Sequence, residues 1–142
     1  MKAFLGGQVV AAGNLFRQVT ETIALALLCS HRDIQIRRQF MEDKYSSNNA
    51  IRDALRRWKE LEVAKSALEA LKDAQEFYHD YSHPTRHTIA TVTSFSGEGL
   101  YFGSAFDEGK IDAYTKEMTG RVNLAGTLVS FVEAVRVNVA KW

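Results

Sequence analysis

The chain holds one cysteine, one proline and nine glycines in 142 residues. A lone thiol, Cys29, excludes an intrachain disulfide. Its place in an apolar run predicts a buried side chain and a reducing, cytoplasmic setting. Scarce proline and glycine remove the commonest helix breakers, which favours long helices. Charge of one sign is lacking too. The formal net charge is +1, with 25% charged residues. That balance gives no charge signature of a nucleic-acid binder, since phosphate neutralisation needs a basic surplus. The first apolar stretch is interrupted by Arg17 and Glu21 before the roughly 20 residues of a membrane span accumulate. Gln8 and the pair Gly6-Gly7 weaken the same stretch as an export leader. No membrane association is expected. Repeats and low-complexity tracts are absent, and the glycines after Ser94 are not followed by the Gly-Lys-Ser/Thr of a phosphate loop.

What is present is apolar periodicity. Hydrophobic residues make up 46% of the chain, enough for a single domain over 1–142 with a real core. A first helix is predicted from Val9 to Ser30, apolar almost all round and therefore central. Asp33 is placed to cap a shorter helix from Ile34 to about Tyr45. Ser46-Ser47-Asn48-Asn49 reads as a break. Ile51, Leu55, Trp58, Leu61, Ala64, Leu68, Leu71, Ala74 and Tyr78 then recur every three or four residues, the mark of one long amphipathic helix. Pro84 suits the first turn of a fourth helix, Thr85 to Thr93. The glycine and aromatic stretch from Ser94 to Asp107 predicts a loop or small hairpin packed by Phe95, Leu100, Phe102 or Phe106. A last helix runs from Lys110 to about Lys141. Ile111, Met118, Val122, Leu128, Val132 and Val139 lie along its apolar stripe, and Gly120 and Gly126 would admit a neighbouring helix. The expected fold is all-α: an up-and-down bundle of four to five helices.

The chemistry concentrates at one corner. His79, His83 and His87 stand at i, i+4 and i+8, a spacing that stacks imidazoles on one face of an unbroken helix. Pro84 interrupts that helix and restricts His83 to extended backbone. If the corner folds inward, Glu76, His79 and His83 are candidate metal ligands, with Asp80 and His87 as further donors. The alternative is a helix-end cluster bonded to backbone, carboxylates or water, and no firm metal or cofactor is expected. Glu76-x-x-His79 is half of a di-iron motif whose second half is missing. Cys29 and His31 are neighbours in sequence only, which does not make a catalytic dyad. Arg17, Glu21, His83, Arg86 and Arg121 could converge on an interior ligand pocket. They could equally form a polar network that fixes packing, with Arg17, Glu21 and Arg121 as its members and Glu21 as the acid facing Arg121.

Several segments carry a resemblance. Leu15-Phe16-Arg17-Gln18-Val19-Thr20-Glu21 lies in an early helix, and Tyr78-His79-Asp80-Tyr81-Ser82-His83-Pro84-Thr85 ends a long one. A glycine-aromatic loop follows, and Met118-Thr119-Gly120-Arg121 lies in the last helix. The combination resembles the HEPN helical superfamily, including its uncharacterised and abortive-infection-type bacterial members. The resemblance implies a helical bundle that dimerises, with a protein or RNA partner in a defence or stress module. Several branches of that superfamily are metal-independent ribonucleases whose signature is an arginine, four to six residues, then a histidine. No arginine stands at those spacings before His31, His79, His83 or His87, so the ribonuclease roles do not carry over. The expectation is a non-catalytic binding protein. The competing reading is a ribonuclease or phosphodiesterase using His83, His87 and Arg86, in which an imidazole would move the proton and the guanidinium would stabilise charge.

Overall fold

Helix dominates the computed structural model, as the scarcity of breakers leads one to expect. The structure describes residues 2–83, 85–94, 101–103 and 106–142, with the side chains of all of these except Ser82 and His87. Among the described residues there are seven α-helices: α1 (Lys2–Leu5), α2 (Val9–Ser30), α3 (Ile36–Met41), α4 (Ala50–Arg56), α5 (Lys65–His79), α6 (Arg86–Val92) and α7 (Ile111–Val139). Tight 3-10 turns occupy Ser47–Asn49, Asp80–Ser82 and Glu108–Lys110. Strands β1 (Thr93–Ser94) and β2 (Tyr101–Phe102) pair antiparallel, Thr93 against Phe102. The protein is all-α with this one small hairpin. The expected packing residues Phe95 and Leu100 lie outside the described residues, as does Pro84.

The chain divides into two compact units. One comprises Met1–Arg17 and Phe77–Gly126, the other Gln18–Glu76 and Thr127–Trp142. In the first, Phe4, Val9, Ala12, Tyr78 and Tyr81 form the buried cluster, with Phe16, Tyr114 and Met118 packed against it. In the second, Leu27, Leu28, Ile51, Leu61, Leu68 and Leu71 are fully buried.

Helix α2 has the predicted ends, and five other expectations are corrected. Helix α3 starts at Ile36 with Gln35 at its cap and no side-chain capping bond, so Asp33 does not serve. Its end at Met41 follows from Asp43, which adopts a left-handed φ of 55°. There the amides of Asp43 and Lys44 turn back to the carbonyls of Phe40 and Gln39, the Schellman arrangement. The single long helix predicted from Ile51 to Tyr78 is two helices: α4 ends at Arg56, where the amide of Arg57 bonds to the carbonyl of Ala54, and a turn follows. Glu62 sits at φ 53°, and the amides of Glu62 and Val63 bond back to Lys59 and Trp58. These stops lack the glycine that normally marks them, while the apolar period runs on through Leu61. Third, α6 starts at Arg86, one residue later than expected. Thr85 is its cap, in a reciprocal capping box with Thr88. Phe102 and Phe106, at 61% and 65% exposure, do not pack the hairpin.

The fifth correction is to α7. Its expected apolar stripe is largely solvent-facing: Ile111, Val122, Val132 and Val139 are all exposed. Glu117, Arg121, Phe131 and Asn138 are the buried ones. The segment Glu108–Val139 is long and apolar enough to cross a membrane by length and composition, and 11% of its most apolar window is buried. Gly120 and Gly126 meet nothing within 4 Å, so no helix approaches there.

The close approach is instead at Gly13 of α2, where an added Cβ would stand 2.6 Å from the Tyr81 ring. Gly13→Ala should therefore destabilise by about 1–3 kcal/mol through overpacking. Gly126→Ala, on an exposed helical face, should stabilise by up to about 1 kcal/mol. Urea denaturation midpoints of the two variants check the contrast.

Candidate functional site

In the first unit a carboxylate and a guanidinium are buried together. Glu117 and Arg121 are four apart on α7, the spacing at which helical side chains meet. Arg121 Nη2 donates to Glu117 Oε2 at 2.9 Å, and the two side chains are 6% and 8% exposed. Arg121 Nη1 donates to the carbonyl of Ala12 at 3.1 Å, while its Nε has no hydrogen-bond partner among the described residues. The guanidinium carbon lies 4.8 Å from the Phe4 ring centre, 5.1 Å from Phe16 and 5.3 Å from Tyr78. Three aromatic faces thus supply part of the stabilisation that water would otherwise give. Glu117 also accepts the hydroxyl of Tyr78 at 2.9 Å and that of Tyr81 at 2.5 Å. Such charge-assisted bonds are short because the acceptor is ionised. Burial, followed by the Glu117 charge, raises both phenols well above the usual tyrosine range.

Beside this network the same unit opens an apolar cavity of about 610 Å³. Helix α1 ends in a reversal at Gly7, whose φ of 77° suits glycine. This turn sets Phe4 edge-on to Tyr114, ring centres 6.1 Å apart. Phe106 closes on Tyr114 from the other side at 5.6 Å. Leu5, Val9, Ile111 and Met118 complete the apolar wall. The hydroxyls of Thr115 and Thr119 are turned back onto the carbonyls of Ile111 and Thr115. Tyr114 is the one ionisable lining residue among the described residues. The size is that of a small-molecule site, and the lining offers shape and apolar contact with little acid–base chemistry.

The sequence-derived candidates fare differently. His79 and His83 lie near each other, ring centres 5.2 Å apart, and both are exposed. Glu76 pairs with Lys72 at 3.2 Å. Among the described residues no three histidine, cysteine, aspartate or glutamate side chains group as metal ligands. His83 has the extended backbone expected before proline, φ −134° and ψ 153°. Its carbonyl accepts the Thr88 hydroxyl. Arg86 is exposed, and the His87 side chain lies outside the described residues. His83 and Arg86 on the surface therefore do not join the buried Arg121 around one interior pocket. The acid that Arg121 meets is Glu117, four residues away, not Glu21. The Glu21 carboxylate accepts Gln75 Nε2 at 3.0 Å and Ser47 Oγ at 3.3 Å, and Arg17 is half-buried on α2. Cys29 is half-buried, its thiol pKa raised by desolvation.

Sequence reasoning missed Glu117, Tyr78 and Tyr81 as polar partners, and it missed the cavity. One signal was legible: an acid and an arginine four apart in an otherwise apolar helix have to find each other. No family model, curated protein or solved structure matches the chain.

Removing the carboxylate while keeping its shape leaves a buried cation unpaired. Glu117→Gln should cost about 3–5 kcal/mol, and adding Arg121→Met should recover most of it. Guanidinium denaturation of the three variants decides this. The raised phenols set an alkaline limit. Folded Tyr78 and Tyr81 keep protons that the unfolded chain loses above about pH 10, so their contribution is intact below that pH and shrinks as pH rises further. Tyr45 behaves alike, raised by burial and by its bond to Asp53. Absorbance at 295 nm should show a late rise worth three of the five tyrosines, coincident with loss of helical circular dichroism.

Proposed function

We propose that this chain is a cytoplasmic binding protein and not an enzyme: an HEPN-like helical module, homodimeric, serving a defence or stress system. Its binding site in this reading is the cavity between Phe4, Tyr114, Phe106 and Met118. The observation that carries it is the pairing of size with chemistry. About 610 Å³ of space is walled by aromatic and aliphatic side chains, with Tyr114 alone among them ionisable. A general acid or base needs a titratable group held in reach of the reacting atom, and among the described lining residues Tyr114 is the single candidate. The wall suits a small, uncharged, largely apolar ligand held by desolvation and ring contacts. The exposed edge formed by Leu5, Phe106 and Ile111 gives such a ligand a way in.

Nile red provides the test. Saturable fluorescence enhancement is expected with the wild-type chain, and Met118→Trp, which fills the cavity, should remove it at unchanged helical content. Absence of binding, or equal binding by the variant, would refute the site. Sedimentation at tens of micromolar should return twice the 16.0 kDa chain mass. A monomer would overturn the dimer.

A further inference from the structure

The second compact unit carries a site of opposite chemistry. Between the end of α2 and the start of α3 the chain reads His31-Arg32-Asp33-Ile34-Gln35-Ile36-Arg37-Arg38. The turn closes through the amide of Ile34 on the carbonyl of His31. It leaves a small cavity of about 90 Å³ lined by His31, Arg32, Gln35, Arg37, Arg38 and Trp142, with Ile34 beside them. Three guanidinium groups and an imidazole thus border one space, and no carboxylate does.

Two features single this out from an ordinary basic surface. The first is the shortage of counter-charge. Arg38 is held by Glu42 at 2.9 Å, but Arg32 and Arg37 have no carboxylate partner among the described residues. The Arg37 guanidinium carbon lies over the Trp142 ring, 4.3 Å from its centre. That ring is itself fixed by its Nε1 donating to the carbonyl of Ser30 at 2.7 Å. A stacked arginine is pre-oriented, and its remaining donors stay in their plane. The second feature is an orphaned polar atom: Nδ1 of His31, a residue bordering the cavity, is buried and has no hydrogen-bond partner among the described residues. Buried polar atoms in native proteins are satisfied as a rule, and an exception calls for a missing partner.

We propose that this cavity binds a phosphoryl group. Its volume matches about three waters of liquid or one tetrahedral oxyanion. Planar guanidinium forks match the paired oxygens of a phosphate, and several of them favour a dianion over a carboxylate. The source of the group is either inorganic phosphate or a phosphate monoester such as a nucleoside 5′-monophosphate. This inference is independent of the apolar cavity.

Trp142 reports on its own site. In a Trp58→Phe background it is the sole tryptophan. Titration with inorganic phosphate should shift its emission saturably, and sodium chloride at matched ionic strength should not. Arg32→Gln, an exposed change that leaves the Trp142 contacts alone, should weaken the phosphate response by about tenfold or more. Phosphorus NMR line broadening on the same samples gives a second readout. Tighter binding of adenosine 5′-monophosphate than of phosphate would support the site with an ester as its source, and equal binding would support it with free phosphate as its source. A response that chloride reproduces, or one that Arg32→Gln leaves unchanged, would overturn the proposal.

Discussion

The Glu117 carboxylate is the interaction on which the first compact unit depends. Both of its oxygens are occupied. Tyr81 donates to one, while Tyr78 and Arg121 donate to the other. Through Arg121 the same node reaches the carbonyl of Ala12 in α2. Four segments thus meet on one charge: α2, the end of α5, the 3-10 turn after it, and α7. Away from water each of these bonds is electrostatically stronger, and each unmade one is costlier. Placement of the surrounding rings follows. Tyr81 lies against the bare face of Gly13, Phe16 stands edge-on to Tyr78 at 4.7 Å, and Phe4 covers the guanidinium.

The helical character was legible from period and from missing breakers, and α2 could be bounded to the residue. The breaks were not. Apolar residues continue at helical spacing through 51–78 because the turn after Trp58 keeps Leu61 buried. Nothing in the composition of Glu62 announces a left-handed backbone, since a charged residue there is tolerated rather than preferred. Helix α7 hid its orientation in another way. Apolar residues lie on every side of it, so periodicity shows that the helix exists without showing which side faces inward. Glu117, Arg121, Phe131 and Asn138 fall on one face at successive steps of four, ten and seven residues, and three of these four are polar.

The histidine corner illustrates how spacing can mislead about chemistry. Stacking at i, i+4 and i+8 requires one continuous helix, and α5 ends at His79. The following 3-10 turn advances each residue by a larger angle than an α-helix does. His83 then adopts extended backbone. The imidazoles of His79 and His83 still meet, their ring planes inclined at 66°, but on the surface, where both are exposed. What organises the corner is threonine. Thr88 donates to the carbonyl of His83 and closes the capping box with Thr85, and the Lys110 ammonium donates to the carbonyls of Ala90 and Thr93. The backbone polar groups freed by the helix break are satisfied there.

Phe4 ties the buried charge to the apolar cavity. It lines that cavity and also lies 4.8 Å from the Arg121 guanidinium. A ligand that displaced Phe4 would uncover a cation whose Nε already lacks a partner, and the loss of that aromatic face would offset the benefit of burying more of the ligand. Phe4 therefore behaves as a fixed wall. The adaptable side of the cavity is the exposed one, Leu5, Phe106 and Ile111, where side chains can change rotamer without disturbing the ion pair. Under the proposed binding role, recognition would be set by what fits against a rigid Phe4–Tyr114 edge, and affinity by how much of the outer rim folds over it.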